Sequence, residues 1–585
     1  MGGTFGKSGS WVLDHTMDDI PLTPYNGNVK HGSIITGFED PPPYAVDHLE
    51  EETEGEKRSR KRSHWVAYTT MFVMSIGFSI VLTGVWPYLH DLNPSLPKES
   101  ISFVVAANPF GQMVASPLLG IWGNKAGKIR GACLTTVFFF AFGNIMYSLL
   151  ALFEDMGDMG TYYAMIIARF IVGVSSANVT LCRSYLAQST TVKERTAGIA
   201  IISAAQALGF VVGPGIQTLL IFLVPEEVDT GIWWLKWNKF TAPGWVAAAL
   251  GFINLVVLMP CIFTEYNIAE RERKLLNQNA KDDELLKLPK PDTLGIIVTL
   301  YGFFVTAFVY VLLETLAVPF VSDQYAWDDD KAMSIVGLAL MGAGILATFL
   351  FPLSGKLGRI FDERLVLLFL GFVPILIGTF LFLPYPGQTI PMQNCENTTT
   401  SFTEITSPFT TVLDSWDTIP TSEPTFDEIP LFDYLSVFRQ WSPLSAVVEE
   451  SDEDCSPGCP DRQDWCYSVP QLPLAQLSVA FIIVMAGYPM AQSIAQGIFS
   501  KMLGPKPQGL WMGVLTGVGS LSRITGPIFV SFIYAKYGTY ACFGGLLAMM
   551  IIAFIALVLM FKRLVPMEIP QSSTQHAYDG PAEKL

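Results

Sequence analysis

Apolar residues fall along this chain in stretches long enough to cross a membrane, and the charged residues gather between them. A helix crossing the hydrocarbon core needs roughly 20 apolar residues. About twelve stretches qualify: near 66–89, 101–122, 131–153, 161–187, 196–224 and 243–264, then 293–321, 332–354, 364–384, 472–499, 508–534 and 539–561. A charged, Pro-containing segment at 265–292 separates the first six from the last six. A second interruption at 385–471 is long, acidic and rich in Thr, Ser and Pro. The pattern predicts an all-α membrane protein with two six-helix bundles, 65–264 and 293–562, the second carrying the loop 385–471. A linker at 265–292 joins them, and polar tails occupy 1–64 and 563–585.

The two halves repeat. Lys193-Glu-Arg-Thr-Ala-Gly198 runs into Gly209-Phe-Val-Val-Gly213-Pro214, and Lys506-Pro-Gln-Gly-Leu-Trp511 runs into Ser522-Arg-Ile-Thr-Gly526-Pro527 with the same spacing. Pro117-Leu-Leu-Gly120 and Pro352-Leu-Ser-Gly355 each end an apolar run just before a basic loop. Membrane helices repeated in two halves suit a carrier that rocks one half against the other around a central site.

Loop charge sets the orientation. Basic residues such as Lys57, Arg58, Lys125, Lys128, Arg271, Lys356, Lys506 and Lys562 all fall on one side if there are twelve crossings. Asp91, Glu154, Glu226, Asp328 and the long acidic loop fall on the other. Both termini are then cytosolic. The composition agrees with a membrane protein, at 50% hydrophobic and 15% charged residues. A net charge of -16 argues against nucleic acid as a partner. Cys133, Cys182, Cys261 and Cys542 sit in apolar spans, whereas Cys395, Cys455, Cys459 and Cys466 all lie in the long loop. That places four cysteines in an oxidising space where one or two disulfides are expected, with three pairings open. Asn397-Thr-Thr399 in the same loop is a glycosylation sequon.

Ionisable residues inside spans are expensive and mark a pathway. Arg523 lies near the middle of the eleventh span, and its counterpart in the repeat is Phe210, so its charge is no symmetric structural feature. Arg169 lies in the fourth span, Arg183 near the cytosolic end of the same span, and Glu314 in the seventh. Gln112, Asn178, Gln206 and Tyr488 are polar positions that suit a cavity wall or a helix contact. Gly209, Gly213 and Pro214, with Gly526 and Pro527, allow close helix approach and hinging. There is no Gly-rich nucleotide loop and no metal-ligand spacing among the six His, so neither an enzyme, a metal nor a cofactor is expected. In the tails, Pro41-Pro42-Pro43-Tyr44 fits a WW-domain ligand of the kind ubiquitin ligases use. Asp282-Asp-Glu-Leu285-Leu286 fits an acidic dileucine read by sorting adaptors.

The loop after the second span, Gly120-Ile-Trp-Gly-Asn124-Lys125-Ala-Gly127-Lys128, resembles the signature of the major facilitator superfamily, with Asn124 in place of the usual Asp. The resemblance implies the twelve-transmembrane-helix fold and a latch formed by Gly120, Asn124, Lys125, Gly127 and Lys128. A neutral amide can still cap a helix, but the charge latch should be weaker. Gly111-Gln-Met-Val-Ala-Ser-Pro117, Leu503-Gly-Pro-Lys-Pro-Gln-Gly509 and the Cys459-to-Cys466 spacing around Trp465 are similar to a lysosomal group within that superfamily. That similarity implies a late endosomal or lysosomal protein with a glycosylated luminal loop. It also implies a contested activity, since chloride conduction has been proposed for the group. The N-terminal acidic dileucine expected of the group is missing, and Cys395 and Cys455 are additional. The sequence therefore reads as a lysosomal carrier of a small, anionic solute, with Arg523 and Arg169 supplying charge and Glu314 a proton site. A chloride-permeable channel and a transport-inactive scaffold or sensor are the alternatives.

Overall fold

A computed structural model describes residues 52–567 apart from 83, 94–100, 157–158, 225–235, 269–270, 272–290, 386, 394–456, 461–462 and 505. The WW ligand (Pro41, Pro42, Tyr44), the dileucine (Asp282, Leu285, Leu286), the sequon Asn397, and Cys395 and Cys455 lie outside the described residues. Twelve long helices follow the predicted order: α1 (Glu54–Leu82), α2 (Ile101–Ala126), α3 (Arg130–Ser148), α4 (Gly160–Ser189), α5 (Val192–Leu223) and α6 (Ala242–Val257). The second half supplies α7 (Thr293–Tyr325), α8 (Asp329–Ile360), α9 (Glu363–Leu381), α10 (Leu474–Leu503), α11 (509–537) and α12 (539–559). Among the described residues, 10 helices are long and apolar enough to cross a membrane by themselves. The other two are α6, which is shorter, and α11, whose apolar run is diluted by Arg523 and several Gly, Ser and Thr.

Local chemistry sets the helix ends. Thr191 caps α5 by accepting from the backbone N–H of Glu194, within a Thr-x-x-Glu box. Asp292 caps α7 through the N–H groups of Leu294 and Gly295. α1 begins at Glu54, ahead of the apolar run. Its polar first turns are held by Arg60, which bonds to Glu52, Glu194 and the carbonyl of Ser189. The α11–α12 boundary is Gly538, whose φ of 74° favours glycine and whose Cα faces the Trp465 ring. α9 opens with a π-helical stretch, Val366–Phe372.

Helix pairs repeat between the halves. α1 packs on α5 as α7 packs on α11, α2 on α4 as α8 on α10, and α3 on α6 as α9 on α12. The bundles meet along α2–α11 and α5–α8. One end of the molecule gathers the basic loops: Tyr185 bonds to the carbonyl of Thr264, Lys501 to Glu363, and Arg364 to the carbonyl of Phe561. The other end gathers Ser148 with Thr241, Tyr325 with Leu472, and Tyr534 with Asp323. Successive helices therefore cross from one end to the other, as the loop charges require. At the acidic end, Cys459 and Cys466 form a disulfide, which selects a pairing the sequence leaves open.

Candidate functional site

The bundles enclose a central cavity of about 130 Å³. At about 10–15 Å³ per water-sized occupant, this is room for a small organic solute. α4 and α5 bring Arg183 and Gln206 to it, α2 brings Gln112, and α11 brings Arg523. α7 contributes Tyr310 and α10 contributes Tyr488.

Phe210 and Arg523 occupy equivalent repeat positions, seventeen residues after Lys193 and Lys506. The Arg523 guanidinium lies over the Phe210 ring, 5.8 Å from its centroid. Positions related by a two-fold rotation touch only near its axis. Arg523 therefore sits at the centre of the molecule. Its neighbours are polar. It lies within electrostatic range of Arg183 on the opposite bundle and of Tyr488, and it attracts Glu314. Arg183, which looked near enough to the helix end to snorkel, is buried at 7% exposure. Its Nη2 donates to Gln206 Oε1 at 3.1 Å. Glu314 lies one turn beyond Tyr310 on the same face of α7, toward the acidic end, and is exposed.

The remaining positions sort themselves by geometry. Gln112 ties α2 to both bundles: Nε2 donates to the Ser176 carbonyl at 2.9 Å, and Oε1 accepts from Ser520 at 2.9 Å. Arg169 does not line the cavity. It is buried within the first bundle, with its guanidinium over Phe78. Gly209 and Gly213 face Ser75 and Ser79 on α1, and Gly526 faces Val311 on α7, each within its own bundle. α5 runs unbroken through Pro214 and α11 through Pro527, so these elements pack helices here rather than break them. Tyr310, Gln492, Gln496 and Thr516 line the cavity without having been singled out. Gln492 and Gln496 carried a signal, an i, i+4 amide pair on an apolar helix. Tyr310 stacks on Tyr488 with centroids 4.6 Å apart, which no local pattern announces.

The basic end is closed. Asn124 Oδ1 accepts from the Gly509 N–H at 2.8 Å and so caps α11 from the other bundle. Gly120 meets the Gly509 backbone so closely that a Cβ would overlap it. Gly127 turns the loop with a φ of 63°. Lys125 and Lys128 form no ion pair among the described residues, so the contact of this loop across the seam is made of backbone and amide rather than charge. On the second seam Gly355 faces Ala197, and Arg195 Nη1 reaches the Ser500 carbonyl at 3.5 Å.

Comparison with known proteins matches this geometry. Residues 67–401 match the family model of the Major Facilitator Superfamily. Major facilitator superfamily domain-containing protein 8 of Xenopus laevis is 33% identical over 523 residues, covering 88% of this chain and 94% of that protein. The class D tetracycline resistance protein of Salmonella ordonez is 27% identical over 290 residues, covering 48% and 65%. The fold is shared with the proton:xylose symporter XylE (TM-score 0.54, 12% identity, 88% and 98% covered). It is also shared with the human organic anion transporter MFSD10 (TM-score 0.50, 14% identity, 85% and 99% covered). With its paired six-helix halves, its central cavity and its Gly-Asn-Lys loop, this chain belongs to the major facilitator superfamily of membrane transporters, as a relative of the Xenopus laevis domain-containing protein 8.

Proposed function

We propose that the protein carries a small organic anion across the endolysosomal membrane by alternating access, with Glu314 as the coupling proton site. With the basic end read as the cytosolic one, the seam closed there shuts the cavity off from the cytosol. One observation carries the reading: two guanidiniums, Arg183 and Arg523, face one central cavity from opposite bundles, with the Glu314 carboxylate within electrostatic range of Arg523. Two like charges held together in a poorly solvated site repel each other, and an anion between them relieves that repulsion. Because each bundle supplies one arginine, a bound anion also ties the two halves together, as a rocking carrier requires. Resemblance to a lysosomal group supports the location, and the closed basic end favours a carrier over an open pore.

The test uses purified protein in liposomes. Exchange of radiolabelled lactate, pyruvate and succinate is measured at equal pH, alongside current under a chloride gradient. The reading expects exchange of at least one of these anions, lost in Arg523→Gln, with no passive current. A current that reverses at the chloride equilibrium potential and falls in Arg523→Gln would make the protein a channel instead. Exchange that survives Arg523→Gln would remove the arginine from the pathway.

A further inference from the structure

Arg523 lines a second chamber as well as the main cavity. This side chamber runs into the first bundle and holds about 20 Å³, room for one or two water-sized groups. Met71, Met74 and Phe78 of α1 form one wall, and amides come from Asn108 and Gln112 of α2, Asn178 of α4 and Gln206 of α5. Asn178 is completely buried. Its Oδ1 accepts from the Cys182 thiol, with sulfur and oxygen 3.7 Å apart. Its Nδ2 has no acceptor within reach among the described residues. A buried donor without an acceptor is costly, and a site that holds one in reserve recognises whatever supplies the missing oxygen.

We propose that this chamber is an oxygen-reading subsite. The substrate's carboxylate rests on Arg523, and a hydroxyl or carbonyl oxygen on the adjacent carbon enters the chamber and accepts from Asn178 Nδ2. The substrate class is then a small 2-hydroxy or 2-oxo carboxylate. The proposal rests on the anion reading of Arg523 given above. The chamber is too small to take the carboxylate as well, since it holds one or two water-sized groups. Arg523 borders both spaces, so an anion held there sits at the mouth of the chamber. Only the substituent next to the charge can enter.

Lactate, pyruvate and propionate test this directly, because they share length and charge and differ only in the oxygen at the second carbon. Titration calorimetry on purified protein in nanodiscs should show lactate and pyruvate binding about tenfold or more tighter than propionate. Asn178→Ala should abolish the preference, bringing lactate and pyruvate down to the affinity of propionate. The wild-type comparison stands by itself if that variant does not fold. Equal binding of all three anions, abolished by Arg523→Gln, would overturn the subsite and leave the anion reading intact. No binding of any of the three would overturn the subsite, and the anion reading falls with it only if succinate exchange is absent too.

Discussion

At the scale of single residues, charge inside an apolar run is what the sequence makes visible. Arg523 and Glu314 are legible because no lipid-facing helix tolerates them, and both belong to the central cavity or its acidic side. Arg169 is equally visible yet lies behind Phe78 in the first bundle. A charge in a helix announces an inward face without saying which interior it faces. Uncharged polar residues announce less still: Tyr310 and Gln492 are ordinary in apolar helices, and only packing brings them to the cavity. Gln492 Nε2 is already engaged by Thr306 at 2.9 Å, so it shapes the wall, whereas Glu314 is an exposed ionisable group. Glu314→Gln keeps the shape and removes the titrating group. Uptake driven by a pH gradient should fall to the level seen at equal pH, while exchange at equal pH persists. Gradient-driven uptake at wild-type level in that variant would dismiss Glu314 as the proton site.

At the scale of helices, hydropathy and loop charge locate the crossings, and contacts that hydropathy does not register set their ends. The start of α1 depends on Arg60 finding Glu52, Glu194 and the Ser189 carbonyl. The α11–α12 boundary falls on one glycine, Gly538, under a tryptophan from a distant loop. The Gly-Pro repeats are legible as special, but their use in packing α5 on α1 and α11 on α7 emerges only from the fold. The signature loop is legible too, and its departure at Asn124 has a structural counterpart, an amide cap across the seam in place of an ion pair. Close approach of Gly120 to the Gly509 backbone makes the α2–α11 crossing a sensitive place to push the bundles apart. Overpacking a well-fitted contact costs about 1–3 kcal/mol, enough to shift a two-state equilibrium roughly 5- to 150-fold. Gly120→Val should therefore favour opening at the basic end. A cysteine placed at Gln496 in the cavity, probed with an impermeant thiol reagent from the basic side, should react correspondingly faster in that background. An unchanged labelling rate would mean that the seam is no gate.

At the scale of the whole molecule, the repeat predicts how the halves move. Two bundles joined along α2–α11 and α5–α8 exchange access by separating those seams at one end as they close at the other. Both seams are closed at the basic end here, through Asn124 with Gly509 and through Ala197 with Gly355. A Cβ built on Gly355 lies 3.3 Å from the Ala197 Cβ. A disulfide spans about 3.5–4.5 Å between Cβ atoms, so the pair can be bridged with a shift of a few tenths of an ångström. In Ala197→Cys with Gly355→Cys, oxidation should therefore lock the basic end shut. The anion should still reach Arg523 from the acidic end, so binding should persist while exchange stops, and reduction should restore it. Wild-type protein treated in parallel controls for the native Cys459–Cys466 bridge and should keep exchanging throughout. Exchange that continues in the bridged variant would mean that solute crosses without the α5–α8 seam opening. That is how a fixed pore behaves, and the rocking mechanism would fall with it.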